Sequence, residues 1–183
     1  MTRACFGQVI RYRYSNPVYI LFNAWSPDDQ VYMTSEEEKA EYVLNDVGKM
    51  YTGNYKQVGA KPWNFAMHED PTLDCTLYLL DRGELNYAVR GNAVFVARKL
   101  SAMVNSQDDE GLIIGNWSND YGDGTAPGAW TGSQAIMDEF WRTRMPVKYG
   151  QCWVYAGKWR STKFRTDGPA HTASDTINIF LLA

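Results

Sequence analysis

The chain has 183 residues, of which 45% are hydrophobic, 14% aromatic and 21% charged, enough for a buried core and inconsistent with disorder. Its 18 basic and 21 acidic residues give a formal charge of −3, so no broad basic face exists to neutralise a run of phosphates, and a nucleic-acid partner is excluded. Val18 to Phe22 and Ile179 to Ala183, the longest apolar stretches, fall far short of the ~20 residues a membrane span needs. No charged start followed by an apolar run resembles a signal peptide, and the expected location is cytoplasmic.

Along the chain, Pro17 to Trp25 (PVYILFNAW) reads as a buried strand closed by a Ser26-Pro27-Asp28-Asp29 turn. Ser35 is placed to cap a helix, with Glu38 reaching back to the cap in a capping box and Gly48 as the stop. The glutamates Glu36 to Glu38 then sit at the positive end of the helix dipole, as capping chemistry and not as a binding site. Lys61 to Phe65 is extended. Asp70-Pro71 reads as a cap followed by proline at the first helical position, opening a helix whose apolar face is Leu73, Leu77 and Leu80. Another amphipathic helix carries Val94, Val96, Ala97, Leu100, Met103 and Val104, and runs into a polar, acidic loop from Asn105 to Gly111. After a glycine-rich region, Ser133 caps a helix that buries Ile136, Phe140 and Trp141. The expected fold is helix-rich with few strands.

Cys5, Cys75 and Cys152 form an odd set without metal-type spacing, and His68 and His171 lie far apart, so a zinc site has no support. A reduced compartment follows, with at least one free thiol. Cys75 reads as a small buried hydrophobe. Cys152 reads differently. In YGQCWVYAG a glycine and a glutamine precede it and an apolar helical run follows, which puts the thiol at a helix N-terminus. Unpaired N–H groups there favour thiolate, the nucleophilic form. Gln151 adds amide and backbone donors that can face an oxyanion.

The full string VKYGQCWVYAG resembles the active-site segment of the animal, calcium-dependent transglutaminases, the protein-glutamine γ-glutamyltransferases. The resemblance continues in register through VYILFNAWSPDDQVYMTSEEEKAEYVLNDVGKMYTG, KPWNFAMHED, LDCTLYLLD, MVNSQDDEG, IGNWSNDYGDGTAPGAW and TGSQAIMDEFW, covering residues 17–157. It implies an α+β, papain-like core, of which this chain holds a helix-rich part without most of the sheet. It implies that Cys152 is the nucleophile and that Trp117, in GNW, holds the tetrahedral oxyanion; without the motif, Trp117 would be read as an ordinary core aromatic. The implied reaction forms a γ-glutamyl thioester from a protein glutamine and passes it to a lysine amine, so the partners are proteins with reactive glutamine and lysine side chains. Ala102, Asn105, Gln107 and Asp109 fall where such enzymes draw ligands for a first Ca2+. On spacing alone that stretch would be a solvated turn. The family commonly has Asn at the position of Gln107, where a main-chain ligand is expected.

The histidine and aspartate that complete the family's triad come well downstream of the cysteine, and neither motif follows Cys152 here. Residues 1–16 and 158–183 read as divergent. His171 lies in a Pro-Ala-His context with Thr172 where the family has aspartate, and is not expected to be catalytic. Gly157-Lys158 can be encoded with a splice-donor sequence, so the tail reads as translated intron; a short isoform that binds calcium or partners without turnover is the alternative. A papain-like hydrolase would share the thiol chemistry but is disfavoured by the extent of the match. With the sheet strands missing, the chain alone is expected to be marginally stable.

Overall fold

The computed structural model describes residues 2–5, 8–11, 21–54 and 56–161. Pro17–Ile20 of the first expected strand, and everything beyond Ser161 including His171, lie outside the described residues. Strands β1 (Thr2–Cys5) and β2 (Gln8–Arg11) pair as an antiparallel hairpin in a segment for which the sequence suggested no structure. The described part of the expected first strand is not one. Asp29 takes the N–H of Asn23 at 2.8 Å and of Val31 at 3.1 Å, while Asn23 takes that of Trp25 at 2.9 Å. These side-chain acceptors fold the segment into turns in place of a ladder.

Helix α1 (Glu36–Lys39) is capped by Ser35, whose Oγ accepts the Glu38 N–H at 3.2 Å. The carboxylate that receives the Ser35 hydroxyl is that of Glu37, at 2.8 Å, not that of Glu38. This hydrogen bond holds the Glu37 carboxyl below its ordinary pKa. A π-helical turn, Ala40–Leu44, extends α1. The stop is Asn45, in extended conformation with its Oδ1 on the Val47 N–H at 3.1 Å. Gly48 instead lies inside β3 (Val47–Asn54), which pairs antiparallel with β4 (Gln57–Asn64) from Val47 opposite Asn64 to Asn54 opposite Gln57. Most of this ribbon is exposed; Trp63 anchors its end in the core.

Helix α2 (Thr72–Arg82) starts with Pro71 at the cap position, φ −102° and ψ 37°, rather than with Asp70 capping a proline inside the helix. Its buried face is Thr72, Cys75, Thr76, Leu79 and Leu80, rotated from the expected leucine stripe so that Leu73 and Leu77 are only half-buried. The i, i+3, i+4 spacing is kept, because two threonines return their hydroxyls to backbone carbonyls, Thr72 to Ala66 at 2.7 Å and Thr76 to Thr72 at 2.8 Å, and so bury without loss. Helix α3 (Ala93–Val104) is capped by Asn92 and buries Val96, Leu100, Met103 and Val104. The expected acidic loop contains a helical turn, α4 (Ser106–Asp109). Then come the short strand β5 (Ile113–Gly115), helix α5 (Gln134–Thr143), strand β6 (Val147–Gly150) and helix α6 (Cys152–Ser161). β5 and β6 pair in parallel, with a register shift between Ile114 and Gly115.

α2 packs on α3 and α5, and α3 packs on α6; Phe65, Leu79, Leu100, Met103, Ile113 and Phe140 fill the space between, each contributing roughly 1.5–3 kcal/mol by burial. The architecture is helix-rich α+β with few strands, as expected. Among the described residues, no helix is long and apolar enough to cross a membrane.

Ser133 does not cap α5 with its side chain. Its Oγ instead accepts the Trp63 indole N–H at 2.9 Å and donates to the Gly157 carbonyl at 3.5 Å, while its own carbonyl accepts the Lys158 ammonium at 3.1 Å. Strand β4, helix α5 and helix α6 are thereby joined at one buried residue. Gly157 is required there: a Cβ would stand 2.6 Å from Trp63 Cε2 and Nε1. Lys158 is fully buried, and its desolvation pushes its pKa well below the ordinary 10.5. α6 runs on through Lys158 to Ser161, past the residue where the resemblance was expected to end.

The asparagines give the loops a shared local chemistry. Asn23, Asn45, Asn54, Asn64, Asn86, Asn92, Asn105 and Asn116 each accept, through Oδ1, the N–H two residues on.

Candidate active site

Only Gln151 separates the end of β6 from the start of α6. Its carbonyl accepts the N–H groups of Val154 at 2.8 Å and Tyr155 at 3.1 Å, which starts the helix. Cys152 therefore stands in the first turn of α6, where the leading N–H groups have no partner inside the helix, and it is an exposed free thiol. Cys75 is free but buried, and burial pushes its thiol up to about 11. The two thiols differ as the sequence suggested: one accessible, one inert.

Trp117 follows β5 and is 64% exposed, which removes its reading as a core aromatic. Its indole lies against Gly115, where a Cβ would stand 2.6 Å from the ring Cη2 and 2.9 Å from the Tyr155 hydroxyl. Tyr155, on α6, donates that hydroxyl to the Ile113 carbonyl at 3.2 Å. Gly115 pairs with Gly150, and the Asn116 N–H donates to the Gly150 carbonyl at 3.1 Å. The indole thus sits over the strand ends from which Cys152 emerges.

The Gln151 side chain completes the junction. Its Nε2 donates to the Asn116 carbonyl at 2.8 Å and to the Tyr121 hydroxyl at 3.3 Å. Both N–H groups of the carboxamide are engaged by the protein, so the side chain is not a spare oxyanion donor, contrary to the sequence expectation. Nothing in the sequence marks this role, because Asn116 and Tyr121 lie 35 and 30 residues away. Asn116 is itself tied down, with Nδ2 on the Asp120 carbonyl at 2.8 Å and Oδ1 on the Ser118 N–H at 2.8 Å.

The rest of the glycine-rich loop is stitched to β6. The Thr125 N–H meets the Lys148 carbonyl at 2.9 Å, the Tyr149 N–H meets the Thr125 carbonyl at 3.0 Å, and the Trp130 indole donates to the Tyr149 carbonyl at 2.8 Å. The Lys148 ammonium bonds Asp123 at 2.9 Å, which lowers the Asp123 pKa and raises that of Lys148. Trp63 is buried and donates to Ser133; Trp153 packs half-buried against the core.

Ala102, Asn105, Gln107 and Asp109 lie along the junction of α3 and α4. The Ala102 carbonyl accepts the Asn105 N–H at 3.1 Å, and Asn105 Oδ1 accepts the Gln107 N–H at 3.1 Å. Glu110 follows in left-handed conformation, turning the chain back so that the Leu112 N–H meets the Met103 carbonyl at 2.9 Å. The Asp109 side chain lies outside the described residues. Among the described residues no cluster of three or more His, Cys, Asp or Glu side chains forms a metal site. The four residues instead offer carbonyl, amide and carboxylate oxygens, a donor set of the class that a hard cation such as Ca2+ takes.

No family model matches the chain. Protein-glutamine gamma-glutamyltransferase K of Homo sapiens is 51% identical over 142 residues, covering 78% of this chain and 17% of that protein. The hemocyte protein-glutamine gamma-glutamyltransferase of Tachypleus tridentatus is 44% identical over 174 residues, 90% of this chain and 23% of that one. The coagulation factor XIII A chain of Homo sapiens is 48% identical over 139 residues, 76% of this chain and 19% of that one. The crystal structure of red sea bream transglutaminase superposes with a TM-score of 0.73 at 39% identity, over 78% of this chain and 22% of that chain. The chain spans about a fifth of the length of these curated relatives.

Proposed function

The chain belongs to the transglutaminase family, and on that premise we propose that it carries the nucleophile half of a calcium-dependent acyl-transfer site, with Cys152 as nucleophile and Trp117 as oxyanion donor. The Cys152 thiolate attacks the side-chain carboxamide carbon of a protein glutamine. The carbonyl electrons move onto oxygen, where the Trp117 indole N–H stabilises the charge. Collapse, with the proton that the base took from the thiol passed to the leaving nitrogen, expels ammonia and leaves a γ-glutamyl thioester. A lysine amine of a second protein then displaces the sulfur, giving an isopeptide cross-link; water in its place gives deamidation. The observation that carries this reading is the exposed Cys152 thiol at the first turn of α6, beneath a segment that holds Trp117 over the same strand ends.

Ca2+ would be held by the oxygens of Ala102, Asn105, Gln107 and Asp109, where it would supply positive charge to the α3–α4 junction. The base and the group that orients it are, in this reading, a histidine and an aspartate outside these 183 residues; residues 17–157 form the family core and 158–183 a divergent tail. A cytoplasmic setting fits free thiols at Cys75 and Cys152.

The test is incorporation of a labelled primary amine into a glutamine-bearing protein. The 183-residue chain is expected to give no incorporation. A longer protein carrying the same residues plus the downstream histidine and aspartate should be active, and should lose activity in Cys152→Ala or on chelation of calcium. Incorporation that persists in Cys152→Ala would falsify the assignment. Calorimetric titration with calcium should show binding that Asp109→Ala weakens, and unchanged binding in that variant would remove the metal assignment.

A further inference from the structure

Building on the reading of Trp117 as oxyanion donor, we propose that Gln151 is a positioning residue whose carboxamide clamps the Asn116–Trp117 segment to the start of α6, setting the indole relative to the Cys152 sulfur. The residue works in two directions. From one residue before the thiol, its carbonyl receives the N–H groups of Val154 and Tyr155 and so fixes where α6 begins. Its side chain reaches across to the carbonyl of Asn116, the residue immediately before Trp117. One residue thereby registers nucleophile and indole against each other.

The surroundings make this register consequential. The Trp117 ring is exposed and rests on Gly115, so no deep packing holds it. Its position follows from the backbone it hangs on. That backbone is fixed at Asn116 from two sides, by the Gly150 carbonyl at 3.1 Å and by Gln151 Nε2 at 2.8 Å. Tyr121 occupies the second amide N–H at 3.3 Å, which orients the carboxamide with its nitrogen towards Asn116. Leucine at 151 would keep the backbone carbonyl and lose both donors. Glutamate would keep the size and place a carboxylate oxygen against the Asn116 carbonyl.

The experiment compares two reactions of Cys152 in the 183-residue chain. Alkylation by iodoacetamide is a displacement at saturated carbon and develops no oxyanion. Acylation by p-nitrophenyl acetate passes through a tetrahedral oxyanion, forming a thioester and releasing p-nitrophenolate. Gln151→Leu and Gln151→Glu are expected to slow acylation by roughly 10- to 100-fold while alkylation stays within about twofold of the parent. Trp117→Ala should do the same, and the Gln151→Leu/Trp117→Ala pair should be no slower than Trp117→Ala alone. If the Gln151 variants slow both reactions in parallel, or leave acylation unchanged, Gln151 has no positioning role. If Trp117→Ala leaves acylation unchanged, the oxyanion reading itself fails, whatever the Gln151 variants do. Tyr121→Phe, which removes one partner and leaves Gln151 in place, should slow acylation by only about two- to fivefold; a larger effect in Tyr121→Phe than in Gln151→Leu would also overturn the proposal.

Discussion

At its first turn α6 presents Cys152 to solvent and is held by the polar contacts of Gln151, whereas its second turn sinks Gly157 and Lys158 into the core around Ser133. Two turns of one helix thus answer to different physics. The thiol is the exposed part of that turn, and substitution at Cys152 removes little burial. The buried turn decides where the helix sits, through a tryptophan, a glycine and a desolvated ammonium that share one serine. A site of this kind separates the group that reacts from the groups that hold it, and mutations should separate the same way.

The contrast should show most strongly at Trp63. Trp63→Ala removes a fully buried indole and leaves the Ser133 hydroxyl without its donor, and is expected to cost about 3–5 kcal/mol in urea unfolding followed by circular dichroism. For a chain at the lower end of the usual stability range, about 5 kcal/mol, that cost would leave only about 0–2 kcal/mol. A cost below about 1 kcal/mol would mean that the Ser133 junction does not hold α6.

Lys158 gives a smaller effect of the opposite sign. Lys158→Met removes a buried charge with little change of volume and is expected to stabilise by about 1–4 kcal/mol near neutral pH. The pH dependence identifies the cause. Folding depresses the Lys158 pKa below its ordinary 10.5, so the unfolded chain binds the extra proton and stability rises as pH climbs from the lowered value towards 10.5. The advantage of Lys158→Met should shrink over that window. Cys75 on α2 and Asp138 on α5 face the ammonium and favour its charged form, opposing the desolvation. Cys75 acts in the other direction on stability: its thiol is raised from 9.0 to about 11, so its contribution is lost between those values as pH rises. Lys158 itself lowers the Cys75 pKa, so the two titrations are coupled, and the comparison is read below pH 9, where the Cys75 thiol stays protonated in both chains. A pH-independent difference would assign the gain to packing alone.

The smallest effect belongs to the exposed turn. Cys152→Ala should change the unfolding free energy by no more than about 0.5 kcal/mol. A cost above 1 kcal/mol in the same unfolding experiment would show that the thiol is part of the packing.

How much of this was legible depends on distance along the chain. Features encoded within a turn or two were readable: the Ser35 cap, the amphipathic α3, the buried Cys75 and the start of α6 at Cys152. Features set by partners far away were not. The buried face of α2 is rotated because Thr72 and Thr76 satisfy their hydroxyls locally and sink with Cys75, which hydrophobicity alone cannot foresee. Ser133 looks like a helix cap in sequence, but Trp63 and Gly157, 70 and 24 residues away, claim its hydroxyl. The β3–β4 ribbon was hidden for another reason: its residues are mostly exposed, so no buried alternation marks it. At the site, family motifs pointed to Cys152 and Trp117, while the engagement of the Gln151 amide was visible only in three dimensions.

The asparagine turns bear on the order in which this chain takes shape. Each closes a ring of only a few residues, at small entropic cost, and can form while the rest of the chain is still open. The contact between Trp63 and Ser133 spans 70 residues and brings together elements from both halves of the chain. Long closures of this kind, which also bring α6 back to β3 and β4, are expected to set the folding time, with the turns already in place when they occur.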